Sequence, residues 1–316
     1  MQSDSFKLST IDHPTDLGGI VRINQEKMSY DLSFYKRNTD PISKKDIEEY
    51  LDQLSNVTHE SGAQWFYQNE DTGVYCSFEY YEPGQEDEEL EIESFEGFDD
   101  TNFSFNINFI RPQFFGKECF PIVDKLVSDL NLYVLNPQGE EIPKKYEKGI
   151  LEKEWSDTNL RFGKSNFKEF GLSYLELNKS NYSWEFRLNR NELQNKLGDN
   201  YFVPRIFYIQ KFDSQTAETI CVWPQHIPFV LPKVDYVLIQ KKIKKLFKTK
   251  DEEGLTSYDD LISRLGKYFK NEDSYMILHP NESAKISKEF NDLPLVGSFE
   301  NYGEAIQVEK IANIKD

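Results

Sequence analysis

Cysteine, histidine, basic residues and long apolar runs are what this chain has little of. Its three cysteines, Cys76, Cys119 and Cys221, stand far apart in 316 residues, and none belongs to a CxxC pair. An odd, scattered set excludes a disulfide framework and reads as small buried hydrophobes in a reducing compartment. The four histidines (His13, His59, His226, His279) show no HxxH or HExxH spacing. No metal site or other cofactor is therefore expected. The glycine-rich phosphate loops and the GxSxG elbow are absent as well, which removes the sequence basis for nucleotide or serine-hydrolase chemistry. No run of about 18 apolar residues could span a membrane. The first ten residues, Met1 to Thr10, hold no apolar signal core. A cytoplasmic protein with no membrane contact is the expectation.

Positive charge is scarce: 37 Lys and Arg stand against 55 Asp and Glu, for a net charge of −18. A field of that sign repels nucleic acid and anionic membranes and attracts basic partners. The charge is concentrated. From Glu79 to Asp100 there are eleven Asp or Glu and no Lys or Arg. Thr72–Tyr81 before this stretch and Asn102–Ile110 after it read as strands, the second with Phe103, Phe105, Ile107 and Phe109 on one face. The acidic loop 79–100 is thus a solvated excursion carried by two strands. Glu82, Glu86, Asp87, Glu88, Glu89, Glu91 and Glu93 are its candidate contact residues for a basic protein partner. The blander reading of the same charge is solubility alone.

Aromatic content of 15%, with 24 Phe and 18 Tyr, excludes a largely disordered chain. The length suggests two lobes, and the pattern suggests an α+β fold. Residues 1–27 form a polar extension. Residues 28–137 read as the first domain. There Tyr30, Leu32 and Phe34 alternate as a strand. Ser43 caps a helix with Ile47, Tyr50, Leu51 and Leu54 on its inner face. Ala63–Gln68 is a short strand. Cys119, Ile122, Val123, Leu126, Val127 and Leu130 mark a second helix, and Asn131–Asn136 a last strand. The order β-α-β-β-β-α-β predicts a ferredoxin-like sandwich with an extra strand.

A charged linker and a helix around Trp155 fill 138–170. Residues 171–316 form a mixed α+β lobe. Leu172–Leu177 and Tyr182–Leu188 read as paired strands, Arg190–Leu197 as a helix ended by Gly198, and Phe202–Phe212 with Ala217–Trp223 as a hairpin. Val234–Gln240 reads as a central strand buried on both faces. Thr256–Phe269 reads as a helix, Tyr275–His279 as a strand, Asn281 as the cap of a helix through Phe290, and Ala305–Val308 as a last strand. Between the hairpin and the central strand, Pro224, Pro228 and Pro232 forbid a regular helix or central strand. Trp223, His226 and Phe229 there line either a groove or, as preferred, a packed crossover. The six lysines of Lys241–Lys250 read as a solvated rim or an internal counter-charge.

Two strings, Met28-Ser-Tyr-Asp-Leu-Ser-Phe-Tyr35 and Trp223-Pro-Gln-His-Ile-Pro-Phe-Val-Leu-Pro-Lys-Val-Asp-Tyr-Val-Leu-Ile239, resemble a group of uncharacterised bacterial proteins of the immunity-like type found with interbacterial toxin systems. The likeness would cover residues 28–290 and carries no functional residue. It implies toxin neutralisation by protein–protein interaction. The expectation is an acidic, non-enzymatic inhibitor of a basic toxin-like domain, with Trp223 and Phe229 as a second contact surface. The alternative is an enzyme with a site between the lobes near Trp223, His226 and Asp235. An acidic DNA mimic ranks third, since Pro83, Gly84 and Gly97 break up the even carboxylate spacing it needs.

Overall fold

The computed structural model describes residues 28–60, 62–82, 94–245 and 248–315, with side chains omitted at 243–250. The fold is α+β. Strand β1 (Ser29–Arg37) leads to helix α1 (Lys44–Asp52). A meander comes next, β2 (Val57–His59), β3 (Gln64–Asn69), β4 (Val74–Tyr80) and β5 (Phe98–Asn108), and then α2 (Phe114–Asp129) and β6 (Tyr133–Leu135). The sheet order is β2-β3-β4-β5-β1-β6.

Side-chain alternation makes this sheet one-sided. Tyr30, Leu32 and Phe34 of β1 and Phe103, Phe105 and Ile107 of β5 are buried, while the residues between them are mostly half-exposed. The helices cover the buried face. In α1, the Ser43 hydroxyl accepts from the Asp46 N–H and the Asp46 carboxylate accepts from the Ser43 N–H, a reciprocal cap that starts the helix. Ile47 and Leu51 then point inward.

Every pairing in the sheet is antiparallel. That is the pattern of a ferredoxin-like sandwich: β4-β5-β1-β6 has its strand order, β1-α1-β4 and β5-α2-β6 are its two interleaved βαβ units, and β2 and β3 extend one edge. The three-residue β2 is an added strand too short to show a period.

Helix α3 (Ile150–Ser165) begins after a left-handed Gly149 at φ 81°. It belongs to the first core, since Trp155 packs on Phe120 with ring centroids 6.1 Å apart. That core also takes in Leu172, Leu175, Tyr208, Ala217, Val308, Ile311 and Ala312. Packing therefore runs across the expected boundary near 137–171.

The rest of the chain comprises β7 (Ser173–Tyr174), α4 (Leu177–Leu188), α5 (Arg190–Leu197), β8 (Ile206–Lys211), β9 (Ala217–Trp223), β10 (Phe229–Pro232), β11 (Tyr236–Lys245) and β12 (Lys248–Ser257). Then come α6 (Tyr258–Leu265), β13 (Phe269–Asn271), β14 (Tyr275–Leu278), α7 (Pro280–Ser283), α8 (Ser287–Asn291), α9 (Phe299–Tyr302), β15 (Gly303–Ile306) and β16 (Ile311–Ala312). A mixed sheet runs β12-β11-β9-β8-β15, and a small one runs β10-β14-β13. Strand β16 returns to pair in parallel with β7, so the last described residues sit against the middle of the chain.

Several expectations need correction. Tyr182–Leu188 is helical: the Glu176 side chain accepts from the Asn178 and Lys179 N–H groups and starts α4. Residues 248–257 form a strand, and the helix after it spans only Tyr258–Leu265, opened by the Ser257 hydroxyl accepting from the Asp260 N–H. Val234–Gln240 is not buried on both faces: Val237 and Ile239 are buried, while Tyr236 and Leu238 are half-buried. The segment after β14 holds two short helices, with His279 rather than Asn281 at the first boundary and Pro280 opening it.

Candidate functional site

The two strands bearing the acidic excursion are neighbours in the six-stranded sheet, with Ser77–Tyr80 of β4 opposite Phe103–Asn106 of β5. Both ends of the excursion are anchored. On the outgoing side the Tyr81 N–H donates to the Asn102 carbonyl at 2.9 Å. The Lys44 ammonium, 3.7 Å from the Tyr80 ring centroid, donates to Glu82 Oε1 at 2.8 Å. The hydrogen bond to Glu82 holds the lysine protonated above its ordinary range.

On the return side, Phe95 meets Tyr35 edge-on at 5.4 Å, and the Arg37 guanidinium lies 3.9 Å from the centroid of the Phe98 ring. Gly97 adopts φ 79°, and its carbonyl accepts from the Asn38 N–H at 3.3 Å. Strand β5 then bulges against β1. Ser33 pairs with Ser104 but Tyr35 with Asp100, and Asn102 within the bulge has φ 57°. A bulge of this kind twists and re-aims a strand, and it stands where the chain re-enters the sheet.

Of the expected contact residues, Glu82 is exposed and tied to Lys44. Glu86, Asp87, Glu88, Glu89, Glu91 and Glu93 lie outside the described residues. The described acids around them are Glu79, Glu96, Asp99 and Asp100, of which Glu96, Asp99 and Asp100 are exposed. Glu79 accepts from Gln64 at 3.2 Å and from the Tyr81 hydroxyl at 3.0 Å, both neutral donors. Among the described residues, no ion pair engages Glu79, Glu96 or Asp99. The excursion therefore departs from a rim on which Glu79, Glu96 and Asp99 keep their negative charge without an ion-pair partner among the described residues.

The second expected surface is absent. Trp223 and Phe229 are fully buried and stack at 4.9 Å. The Trp223 indole N–H donates to the Ile227 carbonyl at 3.0 Å, so even its polar atom is turned inward. Phe269 and Phe290 meet the same indole edge-on at 5.8 and 4.9 Å. The three prolines do make a rigid crossover, but its aromatics fill a core.

Nor do the residues of the alternative site converge. His226 leans on Phe290 with ring centroids 5.9 Å apart. Asp235 Oδ2 accepts from the Thr219 N–H and hydroxyl, both at 2.9 Å, and its other oxygen takes the Lys179 ammonium. Those bonds lock the turn into β11. Among the described residues, no group of three or more His, Cys, Asp or Glu could hold a metal ion, and no helix is long and apolar enough to cross a membrane. All three cysteines are buried and free, and burial pushes the Cys221 thiol well above its ordinary range.

The lysine run also resolves into structure. Lys241 and Lys242 lie on β11 opposite Glu252 and Asp251 of β12. Lys241 is buried, donating to the Leu293 carbonyl at 2.7 Å with Glu252 3.6 Å away. Here Lys241 supplies internal counter-charge.

A cavity of about 250 Å3, which no sequence pattern announces, opens between α4–α5 and the turn before β14, with Tyr182, Glu185, Phe186, Glu192 and Tyr275 among its walls. The signal that would have placed the first three on a helix is Glu176, a carboxylate positioned to cap.

Compared with family models, curated proteins and solved structures, the chain matches none of them. Its function must therefore be argued from geometry and charge.

Proposed function

We propose that this chain is a binding protein for a basic protein partner, met through the acidic excursion between β4 and β5. A toxin-like domain is the partner class that the immunity-like resemblance suggests, with inhibition of that domain as the outcome and the cytoplasm as the place. The observation that carries the reading is the rim itself. Eleven carboxylates with no base among them depart from two paired strands, and Glu79, Glu96 and Asp99 find no cation among the described residues. Binding loops held by a rigid sheet are a common arrangement. Charge at an interface rim acts chiefly on the association rate. The partner should thus be captured faster at low salt, on the scale of the Debye length, about 8 Å at physiological ionic strength.

The test has two stages. Affinity capture from native cells at low and high salt identifies the partner; recovery of no basic protein under either condition would sink the proposal. Stopped-flow association is then compared between the parent and a variant with Glu86, Glu88 and Glu89 changed to Gln and Asp87 to Asn. The variant should fold normally, associate more slowly and show a flatter salt dependence. An unchanged rate with an unchanged salt slope would reduce the excursion to a solubilising feature.

A further inference from the structure

The cavity between α4–α5 and the 272–274 turn is separate from the acidic excursion, and its chemistry does not depend on what the excursion binds. Its aromatic wall is fixed. The Tyr182 hydroxyl donates to the Ser274 carbonyl at 2.7 Å and accepts from the Lys233 N–H at 2.9 Å, which ties α4 to the turn and to the end of β10. The Tyr182 ring stacks on Phe186 at 6.3 Å. Tyr275 is a further aromatic of the lining. Its phenol is pushed above the ordinary range first by desolvation and then by the carboxylates of Glu272 and Asp273.

The polar lining is acidic. Glu185 and Glu192 contribute two negative charges and Lys196 one positive. Among the described residues, neither Glu185 nor Glu192 enters an ion pair, whereas Glu272 beside the cavity is paired with Lys270 at 2.7 Å. Aromatic faces present negative π density, and carboxylates at their edge add to it. That combination selects a cation, held by ring contact and by charge-assisted hydrogen bonds. Size narrows the choice. Pockets for whole small molecules run from about 300 to 1,000 Å3, so a cavity of about 250 Å3 is sized for a single side chain.

We infer that this cavity is a docking site for one lysine or arginine side chain presented by a polypeptide. The stem lies between Tyr182 and Tyr275, and the charged head lies between Glu185 and Glu192. Pinning of the Tyr182 hydroxyl pre-organises the wall and lowers the ordering cost of binding.

Backbone amide NMR of the full-length protein tests this with blocked Gly-Lys-Gly and Gly-Arg-Gly peptides, a Gly-norleucine-Gly control, and butylammonium as the free-amine arm. The expected result is saturable shifts confined to α4, α5 and residues 272–275 with the two cationic peptides. The norleucine peptide should produce none, and butylammonium should bind more weakly. The double variant Glu185→Gln, Glu192→Gln should weaken peptide binding about fivefold or more, since each exposed ion pair contributes up to about 1 kcal/mol. Asn189→Lys, which puts a fixed cation at the cavity wall, should block binding and serves if the double variant fails to fold. No saturable shift at those residues, equal shifts with norleucine, or undiminished binding by these variants would overturn the proposal. Butylammonium binding as tightly as the lysine peptide would overturn the polypeptide as the source.

Discussion

The indole N–H of Trp184 in α4 donates to Glu118 Oε2 in α2 at 2.5 Å. The other oxygen of the same carboxylate accepts from the Tyr67 hydroxyl at 2.8 Å, the Asn69 amide at 2.7 Å and the Thr72 hydroxyl at 3.0 Å. One buried carboxylate thus joins the second helix, the β3–β4 hairpin and a helix from the later half of the chain. Burial, then the negative charge of Glu118, pushes the Tyr67 phenol far above its ordinary range, so it stays a donor. Glu118→Ala takes the carboxylate acceptor away from four donors. A cost of about 3 kcal/mol is expected, of the order seen when a buried polar network loses its centre. Urea titration followed by tryptophan fluorescence reads it. A variant within about 0.5 kcal/mol of the parent would show that the junction is held by apolar packing alone.

Trp223 offers a direct check on its placement in a core instead of on a surface. Trp223→Ala should destabilise the protein by about 4 kcal/mol, the range for deleting a buried aromatic. Trp223→Phe should cost less, since it keeps the ring contacts with Phe229 and Phe290 and loses the bond to the Ile227 carbonyl. Neither variant should alter the association rate with a basic partner while it remains folded. A Trp223→Ala protein of parental stability with weakened partner binding would restore the surface reading.

How far the sequence could be read depended on what each buried face is made of. Strands β1 and β5 were legible because Tyr30, Leu32 and Phe34, and Phe103, Phe105 and Ile107, alternate against polar neighbours. Helices α1 and α2 carry apolar residues at helical spacing. Helix α4 does not: its buried positions are Ser180, Ser183, Phe186 and Arg187. A helical period written in serine and arginine is invisible to hydrophobicity, and Tyr182, Trp184 and Phe186 imitate a strand. Strand β12 opens with Lys248-Thr-Lys-Asp-Glu-Glu253, the charged composition that protects a sheet edge and erases strand periodicity. The acidic excursion was plain in composition. The cation-selective cavity was not, because its walls come from α4, α5 and the 272–275 turn, which only the fold brings together.

Gly116 sets two known effects against each other. Within a helix, Gly→Ala ordinarily stabilises by up to about 1 kcal/mol. Gly116 lies in α2, but a Cβ there would stand 2.6 Å from Trp155 Cε3 and 2.7 Å from its Cζ3. Trp155 is fully buried and packed on Phe120, so the ring has no room to withdraw. Overpacking should win, with a net loss of about 1–3 kcal/mol. Thermal unfolding of Gly116→Ala reads the sign, and a rise in melting temperature would mean that α3 shifts freely on α2.

The pH dependence of stability isolates Asp124, a half-buried residue of α2. Desolvation raises its carboxyl above the ordinary range of 3.8, against the opposing pull of the Gly149 N–H, 3.2 Å from Oδ2, and of Lys148. A raised carboxyl binds its proton more tightly in the folded chain than in the unfolded one. Its contribution therefore favours folding at low pH and is lost as pH rises from the unfolded value through the higher folded one. Asp46 and Asp129 run the other way, being lowered first by side-chain hydrogen bonds from Ser43 and Lys125. Their stabilisation is present above 3.8 and is lost as pH falls through their depressed folded values. Asp124→Asn removes the first effect and leaves the others. The variant should gain stability relative to the parent as pH rises through the carboxylate range, and the gain should vanish in acid. Paired urea titrations across that range decide the matter. A difference independent of pH would mean that the substitution acts on the Gly149 hydrogen bond and not on charge.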